Sequence, residues 1–463
     1  MIRLFHVYFP GRTLLLALSE ALVAMLAVLP AAFLVFGADA ANMFIYATDL
    51  IRLLPVVIVC VLCMQYYDLY DSMILFNPGQ AATRVVQALG SVCVILACVY
   101  YIYPVIRIDQ NLLMLWVVLA GISLIAWRRL FLAFNRSERL AQRTLLLGTG
   151  PLAGQLASEI ESRPELGLRF AGYVEQEPAS EREFDNLAYL GNVDQLPILV
   201  ERYHIERVII AMANRRGRLP VEQLLEAKER GVIVDDGPAF YEAVAGRVHL
   251  DSLRPTMLLF SEGFRVSALR KLYKRATSVI GSLIGMTLTL PLMAIIAVVV
   301  RLESRGPVIF RQRRTGKDGK LFTLYKFRSM YHDADEGNKV RAAQEDDVRC
   351  TRAGKWLRRT HLDELPQLFN ILRGDMHFIG PRPFAVEMEE DFAHQIPFYC
   401  KRWSVRPGAT GWAQVRKGYN ETLEDNAQKL AYDLYYIKNL SVGLDFLILL
   451  ETIKILLLGR GGR

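Results

Sequence analysis

The stretch KWLRRTHLDELPQLFNILRGDMHFIGPRP, residues 355–383, decides how this chain is organised. It places two adjacent carboxylates, Asp363 and Glu364, just before Pro366, a residue suited to the first turn of a helix. The positive end of such a helix favours carboxylate and phosphate groups together. An ion-paired surface helix that ends in a rigid Pro loop would show the same pattern, so that alternative stays open. Four arginines near the acids indicate a phosphate-handling site, namely Arg358, Arg359, Arg373 and Arg382.

Length and composition predict two or three domains, some of them in a bilayer. The 463 residues are 52% hydrophobic, and the apolar residues are concentrated in long runs. Residues 270–328 hold thirteen Lys or Arg against two acids, next to an apolar run. This regional charge suits anionic lipid headgroups, and no motif for nucleic acid accompanies it. The cysteines predict neither a disulfide framework nor a zinc site, and we interpret Cys60 and Cys63 as packing residues.

Four apolar stretches predict a transmembrane helical bundle in residues 1–140. Each approaches or exceeds the roughly 20 residues that a helix needs to cross a bilayer. We expect the first to be retained rather than cleaved, because its apolar core is too long for a signal peptide. Basic residues before the first stretch and after the fourth place both ends in the cytoplasm. The stretches are residues 13–36, 50–64, 85–105 and 111–127.

Residues 141–262 are typical of a Rossmann-like α/β domain that binds a nucleotide or coenzyme A. An apolar strand, a turn with Gly148, Gly150 and Gly154, and a helix follow one another in TLLLGTGPLAGQLASEI, residues 144–160. Further strands are predicted at residues 170–174 and 207–211, and Glu175 or Glu177 falls where a ribose-binding acid is expected. The same glycines also serve ordinary strand-to-helix packing. A structural or regulatory domain is therefore the alternative.

The 22-residue apolar run at residues 279–300 is long enough to span a membrane. Pro291 lies inside it and is expected to kink the helix. Both flanks are strongly basic, which places both ends in the cytoplasm. We therefore predict a re-entrant helix at about residues 277–301, with an ordinary fifth transmembrane helix as the alternative.

Two further motifs and an apolar end follow in the polar C-terminal region. LYKFRSM, residues 324–330, is either a half-buried strand with the heads of Lys326 and Arg328 in solvent, or a diphosphate clamp. VRPGATGWAQV, residues 405–415, contains Arg406 and suits a tight loop over a ligand or an ordinary turn. Residues 444–460 predict an apolar helix in the interface or under the domain.

Together, KFRSM, LDELPQLFNILRGDM, GPRP, RPGATGWAQV and YDLYYIKN resemble the catalytic domain of the bacterial polyprenyl-phosphate phosphoglycosyltransferases, over about residues 271–458. The preceding regions resemble the large members, similar to undecaprenyl-phosphate galactose or glucose phosphotransferases. The layout also resembles exopolysaccharide sugar transferases of PEP-CTERM systems. The implied fold is a membrane α-helical bundle, a Rossmann-like α/β domain, and a monotopic α/β catalytic domain at residues 263–463 with the re-entrant, Pro-kinked helix.

The resemblance implies transfer of sugar-1-phosphate from a UDP-sugar to undecaprenyl phosphate, with release of UMP, at the cytoplasmic face of the bacterial inner membrane. This step would initiate exopolysaccharide or glycan repeat-unit synthesis, and a homodimer is implied. Asp363 would be the nucleophile that forms a covalent phosphosugar intermediate, and Asp363 and Glu364 would hold Mg²⁺. Substrate phosphates would bind Arg358, Arg382 and Arg406, with Lys326 as an additional candidate. The sequence does not identify the sugar.

The sequence departs from the family pattern in three places. Leu290 precedes the kinking proline, where the family often has Ser, and His361 and His377 stand where Arg or Ser is expected. We interpret both histidines as exposed polar variants without a catalytic role.

Two other functions share parts of this layout. Membrane-anchored nucleotide-sugar dehydratases or epimerases also join helices to a dinucleotide-binding domain, but no Tyr-xxx-Lys pair occurs after Arg143. A nucleotide-sugar-sensing scaffold of a polysaccharide assembly system explains the first 260 residues but leaves the acid pair and its arginines without a role.

Overall fold

The structure is a computed structural model that describes residues 2–4, 7–39, 47–71, 78–135, 141–176, 187–212, 215, 218–255, 267–331, 347, 349–417 and 422–457. The chain divides into two compact units. The first comprises residues 1–2 and 8–240, and the second comprises residues 3–7 and 241–463. The division lies inside one helix, Gly237–Ala245.

The first unit contains an apolar helical bundle. Small side chains in its interior, such as Ala24 and Cys60, let the helix backbones approach closely. The indole of Trp116 donates a hydrogen bond to the carbonyl of Ala24 at 2.8 Å. Glu20 and Arg128 form a buried ion pair at 2.6 Å. After strands β1 (Ile2–Leu4) and β2 (Val7–Phe9), the helices are α1 (Gly11–Leu26), α2 (Val28–Phe36), α3 (Ala47–Tyr66), α4 (Pro78–Ile102) and α5 (Gln110–Asn135).

Four described helical segments are long and apolar enough to cross a membrane. Three lie in the bundle and one follows the α/β region: Gly11–Phe36, Gly79–Ile102, Gln110–Phe134 and Ala268–Glu303. The apolar part of α3, Leu54–Tyr66, is shorter than a full span. Large apolar side chains such as Phe33 are exposed on the outer faces of the bundle, which indicates a membrane protein. Cys60 and Cys63 are buried in the bundle, which confirms them as packing residues.

A parallel α/β sheet completes the first unit. Its five strands lie in the order Tyr189–Asn192, Leu168–Glu175, Gln142–Leu147, Arg207–Ile210 and Ile233–Asp236, which is the order of the doubly wound dinucleotide-binding fold. Both faces are covered, so the central strands are apolar throughout, as in Leu145–Leu147. The predicted strands at residues 170–174 and 207–211 are confirmed. The elements are β3 (Gln142–Leu147), α6 (Pro151–Glu161), β4 (Leu168–Glu175), β5 (Tyr189–Asn192), α7 (Leu196–Tyr203), β6 (Arg207–Ile210), α8 (Val221–Glu229), β7 (Ile233–Asp236) and α9 (Gly237–Ala245).

The second unit combines a long apolar helix with a small α/β domain. An antiparallel hairpin pairs Ile309 with Phe327, and two short parallel strands pair His377 with Gly408. The elements are α10 (Ala268–Glu303), β8 (Ile309–Thr315), β9 (Leu321–Phe327), α11 (Arg352–Arg359), α12 (Gln367–Arg373), β10 (His377–Ile379), α13 (Val386–Gln395), β11 (Gly408–Thr410), α14 (Trp412–Arg416), α15 (Leu423–Lys438) and α16 (Val442–Leu457).

Helix α10 contacts the small domain along one face from its beginning to its end. Near its start, Arg275 donates to the carbonyl oxygens of Ile371 and Leu372 at the end of α12. Further along, Gly281 faces the ring of Phe378, and a Cβ there would lie 2.7 Å from that ring. At its end, Glu303 accepts a hydrogen bond from the backbone N–H of Ala353.

The opposite face of α10 is apolar and exposed. Leu288 is 75% exposed and Leu302 is 81% exposed. Pro291 lies inside the helix, which is continuous from Ala268 to Glu303. The re-entrant path and the kink at Pro291 stay predictions. The predicted C-terminal helix is present as α16, with Leu444 and Ile448 buried and Phe446 exposed.

Candidate active site

The acid pair lies in a short turn between α11 and α12. His361 has a φ of 57°, a left-handed conformation that few non-glycine residues adopt, and it turns the chain out of α11. Asp363 and Glu364 follow in the 3-10 turn Leu362–Glu364, and Pro366 then leads into α12. The predicted position just before a helix is therefore confirmed.

Two cations from other elements hold Glu364. The ammonium of Lys326, on β9, lies 2.7 Å from Glu364 Oε1, and the guanidinium of Arg382 lies 2.7 Å from the same oxygen. Lys326 also lies 3.9 Å from Asp363 Oδ2. The Asp363 residue is 7% exposed. The structure thus brings together four predicted residues, Asp363, Glu364, Lys326 and Arg382, as a compact charged cluster.

The two carboxyl groups have opposite electrostatic surroundings. Burial raises the pKa of Asp363, and the charge of Glu364 adds to the rise, while Lys326, His361 and Arg382 oppose it. Burial also favours protonated Glu364, but Arg382 and Lys326 outweigh it and hold the pKa of Glu364 well below its usual range. Glu364 is therefore a fixed anion, and Asp363 is the more basic carboxylate of the pair.

Asn370 fixes the position of Lys326, and the sequence analysis missed it. The fully buried Asn370 side chain donates to the carbonyl of Thr323 at 2.7 Å and accepts from the backbone N–H of Tyr325 at 3.1 Å. This amide joins α12 to β9 one residue before Lys326. The signal was present in the helical spacing of Gln367, Asn370 and Ile371, which are all buried.

A buried ionic network holds the backbone of Arg382 in place. Arg402 donates to the carbonyl oxygen of Arg382 at 2.8 Å and pairs with Asp433 at 2.9 Å and Glu389 at 3.3 Å. Glu389 in turn accepts from the backbone N–H of Phe384. These residues fix the loop at residues 381–384. These residues lie far apart along the chain, so the sequence alone did not predict the network.

The other predicted arginines lie apart from the acid pair. Arg358 donates to the Sγ of Cys350 at 2.9 Å. Arg373 is at the far end of α12, 4.0 Å from Asp375. Arg406 is half-buried, and its charge acts on His377. Of the four guanidiniums predicted around the acids, the structure places Arg382 in direct contact.

The interpretation of His377 as an exposed variant is wrong. His377 is buried on β10, and its Nδ1 forms a 2.8 Å hydrogen bond with the hydroxyl of Ser278 on α10. Burial lowers the pKa of His377 to about 3, and the nearby charges of Lys274, Arg406 and Arg275 act in the same direction. His361 is half-buried, and its charge lowers the pKa of Asp363. Both histidines therefore belong to the environment of the site or its scaffold.

The two other motifs of the second unit, at residues 324–330 and 405–415, form regular elements. Lys326 projects from β9 to Glu364, and Arg328 is buried and donates to the carbonyl of Ser304 at 2.7 Å, so neither head lies in solvent. The motif at residues 405–415 forms β11 and then α14, rather than an ordinary turn.

The glycine turn of the α/β domain is explained by packing. Gly148 has a φ of 94°, and a Cβ there would lie 2.6 Å from Met212 Cγ. Gly150 has a φ of 129°, and Gly154 lies in the following helix. Glu175 ends β4, whereas Glu177 lies outside the described residues. The contact with Met212 favours the packing alternative, and nucleotide binding stays a prediction.

Within the part of the chain that the structure describes, no group of three or more His, Cys, Asp or Glu side chains suits a metal ion. Mg²⁺ often binds one or two carboxylates together with substrate phosphates and water. Asp363 and Glu364 fit that mode, because they are adjacent and Lys326 and Arg382 contact one oxygen of Glu364.

Sequence comparison with known proteins identifies the families that this chain matches. Residues 269–459 match the bacterial sugar transferase family, and residues 65–227 match a CoA-binding domain family. The UDP-glucose:undecaprenyl-phosphate glucose-1-phosphate transferase of Escherichia coli (strain K12) is 34% identical over 349 residues, which cover 73% of each chain. The chain belongs to the bacterial sugar transferase family.

Two further relatives of this sugar transferase act on different sugars, as their names state. The UDP-N-acetylgalactosamine-undecaprenyl-phosphate N-acetylgalactosaminephosphotransferase of Aeromonas hydrophila is 43% identical over 222 residues, 48% of this chain. The undecaprenyl-phosphate glucose phosphotransferase of Komagataeibacter xylinus is 33% identical over 325 residues, 69% of this chain. The alignments span 52% and 59% of the length of these two relatives.

Proposed function

We propose that this sugar transferase moves sugar-1-phosphate from a UDP-sugar to undecaprenyl phosphate, releases UMP, and so initiates exopolysaccharide or glycan repeat-unit synthesis. The observation that carries the proposal is the buried Asp363 beside Glu364, with Lys326 and Arg382 in contact with the pair. The names of the relatives in Escherichia coli and Aeromonas hydrophila support the reaction class and the lipid acceptor. They differ in the sugar, so the donor sugar stays open.

Asp363 acts as a covalent nucleophile in this proposal. Its carboxylate oxygen attacks the β-phosphorus of the donor, and the bond from that phosphorus to the bridging oxygen breaks, so UMP leaves with the electron pair. The product of this half-reaction is an acyl phosphate that carries the sugar. A phosphate oxygen of undecaprenyl phosphate then attacks the same phosphorus, and the carboxylate of Asp363 leaves unchanged.

The neighbouring charges have distinct roles. Glu364 holds Lys326 and Arg382 at 2.7 Å each, and these cations would then face the negative charge of the diphosphate. Lys326 is also close enough to Asp363 to keep the nucleophile ionised. When bound, Mg²⁺ supplies charge neutralisation at the diphosphate, and Asp363 and Glu364 are the residues that would hold it.

The exposed apolar face of α10 supports a location at the membrane surface. A helix that crosses the bilayer would contact a polar domain near one of its ends. By contrast, α10 contacts that domain near its start, further along and at its end, at Arg275, Gly281 and Glu303. A re-entrant helix at the cytoplasmic face of the inner membrane would keep the acid pair level with lipid phosphates. The homodimer that the resemblance implies stays a prediction.

The test is UMP release by membranes that contain the full chain, undecaprenyl phosphate and Mg²⁺. UDP-glucose, UDP-galactose and their N-acetyl forms are supplied one at a time, and the lipid product is analysed by mass spectrometry. We expect one donor to yield UMP and a lipid-linked sugar, and Asp363→Asn to abolish both. The exposed Asp391 on α13 provides a matched control, Asp391→Asn, which should retain activity.

A second measurement addresses the covalent step. Without undecaprenyl phosphate, the wild-type protein should release UMP in an amount equal to the enzyme and gain the mass of one phosphosugar at Asp363. Full turnover by Asp363→Asn, in protein that inserts into membranes, would contradict the nucleophile assignment.

A further inference from the structure

Arg314 lies on β8 beside the loop that holds Arg382, and it has no role in the chemistry derived above. Its backbone forms an isolated antiparallel bridge with Ala385, shortly after Arg382. Side chains alternate between the two faces of a strand, and Arg311 and Arg313 are exposed, whereas Arg314 is half-buried. The strand therefore presents Arg314 on the face opposite to that of its exposed basic neighbours.

The hydrogen bonds of the Arg314 guanidinium to described residues go to neutral acceptors. Its Nη1 donates to the carbonyl of Pro383 at 3.0 Å, and its Nη2 donates to Gln312 Oε1 at 2.6 Å. Its Nε is buried and, in the described part of the chain, has no hydrogen-bond partner. Arg314 thus holds the backbone next to Arg382 through an acceptor that does not neutralise its charge.

The charge of Arg314 lies within electrostatic range of the acid pair. Burial lowers the pKa of Arg314 to about 10, and the charge of Arg382 adds to the fall, while Glu364, Glu389 and Glu387 oppose it. With a pKa of about 10, the guanidinium stays protonated at neutral pH. Arg314 is therefore a permanent positive charge close to both Arg382 and Glu364.

Without Arg314, the surroundings of Arg382 would carry surplus negative charge. The cluster at the acid pair holds two carboxylates and two cations, so its charges cancel. The buried network that holds the Arg382 backbone has one guanidinium, Arg402, against two carboxylates, Glu389 and Asp433, which leaves one negative charge in excess. That excess would oppose an anion such as a diphosphate at Arg382, and Arg314 offsets it.

We propose that Arg314 is a positioning residue for the donor diphosphate and acts through Arg382. It holds the backbone at Pro383 and supplies the positive charge that offsets the surplus acid of the Arg402 network. The inference rests on the proposed function and adds to it a residue that does not touch the ligand. Arg382 can then attract the diphosphate without opposition from the buried carboxylates behind its backbone.

Binding of UDP with Mg²⁺ to the full chain in nanodiscs tests this role, with calorimetry as the readout. Arg314→Gln keeps an N–H donor for the carbonyl of Pro383 but removes the charge, so UDP should bind about 10-fold more weakly. Arg314→Lys keeps the charge and should recover most of that loss. Arg313→Gln removes the same charge from the exposed neighbouring residue on β8 and should bind UDP like the wild type.

The rescue by lysine separates the charge from a purely structural role. Lysine cannot make both hydrogen bonds of the arginine, so a role limited to those bonds predicts equal weakening in Arg314→Lys and Arg314→Gln. Equal weakening overturns the proposal, and so does wild-type affinity in Arg314→Gln. If Arg314→Gln does not fold, the double variant with Glu389→Gln restores the charge balance. Wild-type affinity of that double variant supports the proposal, and a 10-fold loss overturns it.

The same measurements distinguish this inference from the proposed function. UDP binding that depends on the charge of Arg314, without transfer from any UDP-sugar, would keep the inference and reject the proposed function. Sugar transfer together with UDP binding that is unchanged in Arg314→Gln would keep the proposed function and reject the inference. A wild-type protein that does not bind UDP would overturn both.

Discussion

The guanidinium of Arg402 donates a 2.8 Å hydrogen bond to the backbone carbonyl of Arg382, so one arginine positions another. Arg402 is buried and paired with Asp433 and Glu389, whereas Arg382 reaches Glu364 at the acid pair. The position of the cation that contacts the acid pair thus depends on a second, buried cation.

Replacement of Arg402 by Met should destabilise the protein strongly. The change leaves Glu389 and Asp433 buried without their partner, which typically costs about 3–5 kcal/mol in the free energy of unfolding. Equilibrium unfolding of the full chain measures this loss. Arg359→Met, at an exposed position of α11, serves as the control and should change little. Wild-type stability of the Arg402 variant would show that the network is not a structural support.

Lys326 and Arg382 should act as a coupled pair on catalysis. Each contacts the same oxygen of Glu364, so Lys326→Met and Arg382→Met should each lower kcat/KM about 100-fold by removing a preorganised charge. Because both depend on Glu364, the double variant should lose less than the product of the two single losses. Donor turnover by all four proteins gives the coupling. If the loss in the double variant equals the product of the two single losses, Lys326 and Arg382 act independently, and the predicted coupling is wrong.

The acid limb of activity should respond to His361. In the proposed mechanism Asp363 must be ionised to attack. Burial raises its pKa above the ordinary value of 3.8, so we expect kcat/KM to fall when acidification protonates it. The charge of His361 lowers that pKa, so His361→Gln should move the acid limb to higher pH. The pH profile of kcat/KM checks the shift, with the exposed His394→Gln as control. A limb that stays in place would exclude coupling between His361 and Asp363.

His377 should make the protein sensitive to acid. Its pKa is about 3 in the fold and 6.5 when unperturbed, so the unfolded chain binds the proton first and stability falls as pH decreases below 6.5. Between about pH 7.5 and about pH 5, this group contributes a loss of about 2 kcal/mol. His377→Gln should lack that component, whereas His394→Gln should retain it. Unfolding free energies at the two pH values test the prediction.

The parts of this protein that the sequence predicted are those encoded by local pattern. Apolar runs predicted the membrane helices, and the order of Asp363, Glu364 and Pro366 predicted an acid pair just before a helix. Strands of the α/β domain were predicted because a sheet covered on both faces needs continuous apolar segments.

The unpredicted parts depend on residues that meet only after folding. Arg402 lies 13 residues from Glu389 and 31 from Asp433, so no local spacing marks the network. His377 was misread because its burial depends on Ser278, which is 99 residues away on α10. Arg358 was expected at the acids because of its sequence position, yet its hydrogen bond goes to Cys350.

The face of α10 that contacts the small α/β domain limits how this chain can be divided. Met293, Ala297 and Val300 belong to the same hydrophobic cluster as Leu362 and Leu365, which flank the acid pair. The long apolar helix α10 is therefore also part of the hydrophobic core of the second unit. We therefore expect that cutting the chain after Glu303 would not release a water-soluble folded domain. The turn that carries Asp363 would lose the apolar side chains of α10 against which its neighbours pack.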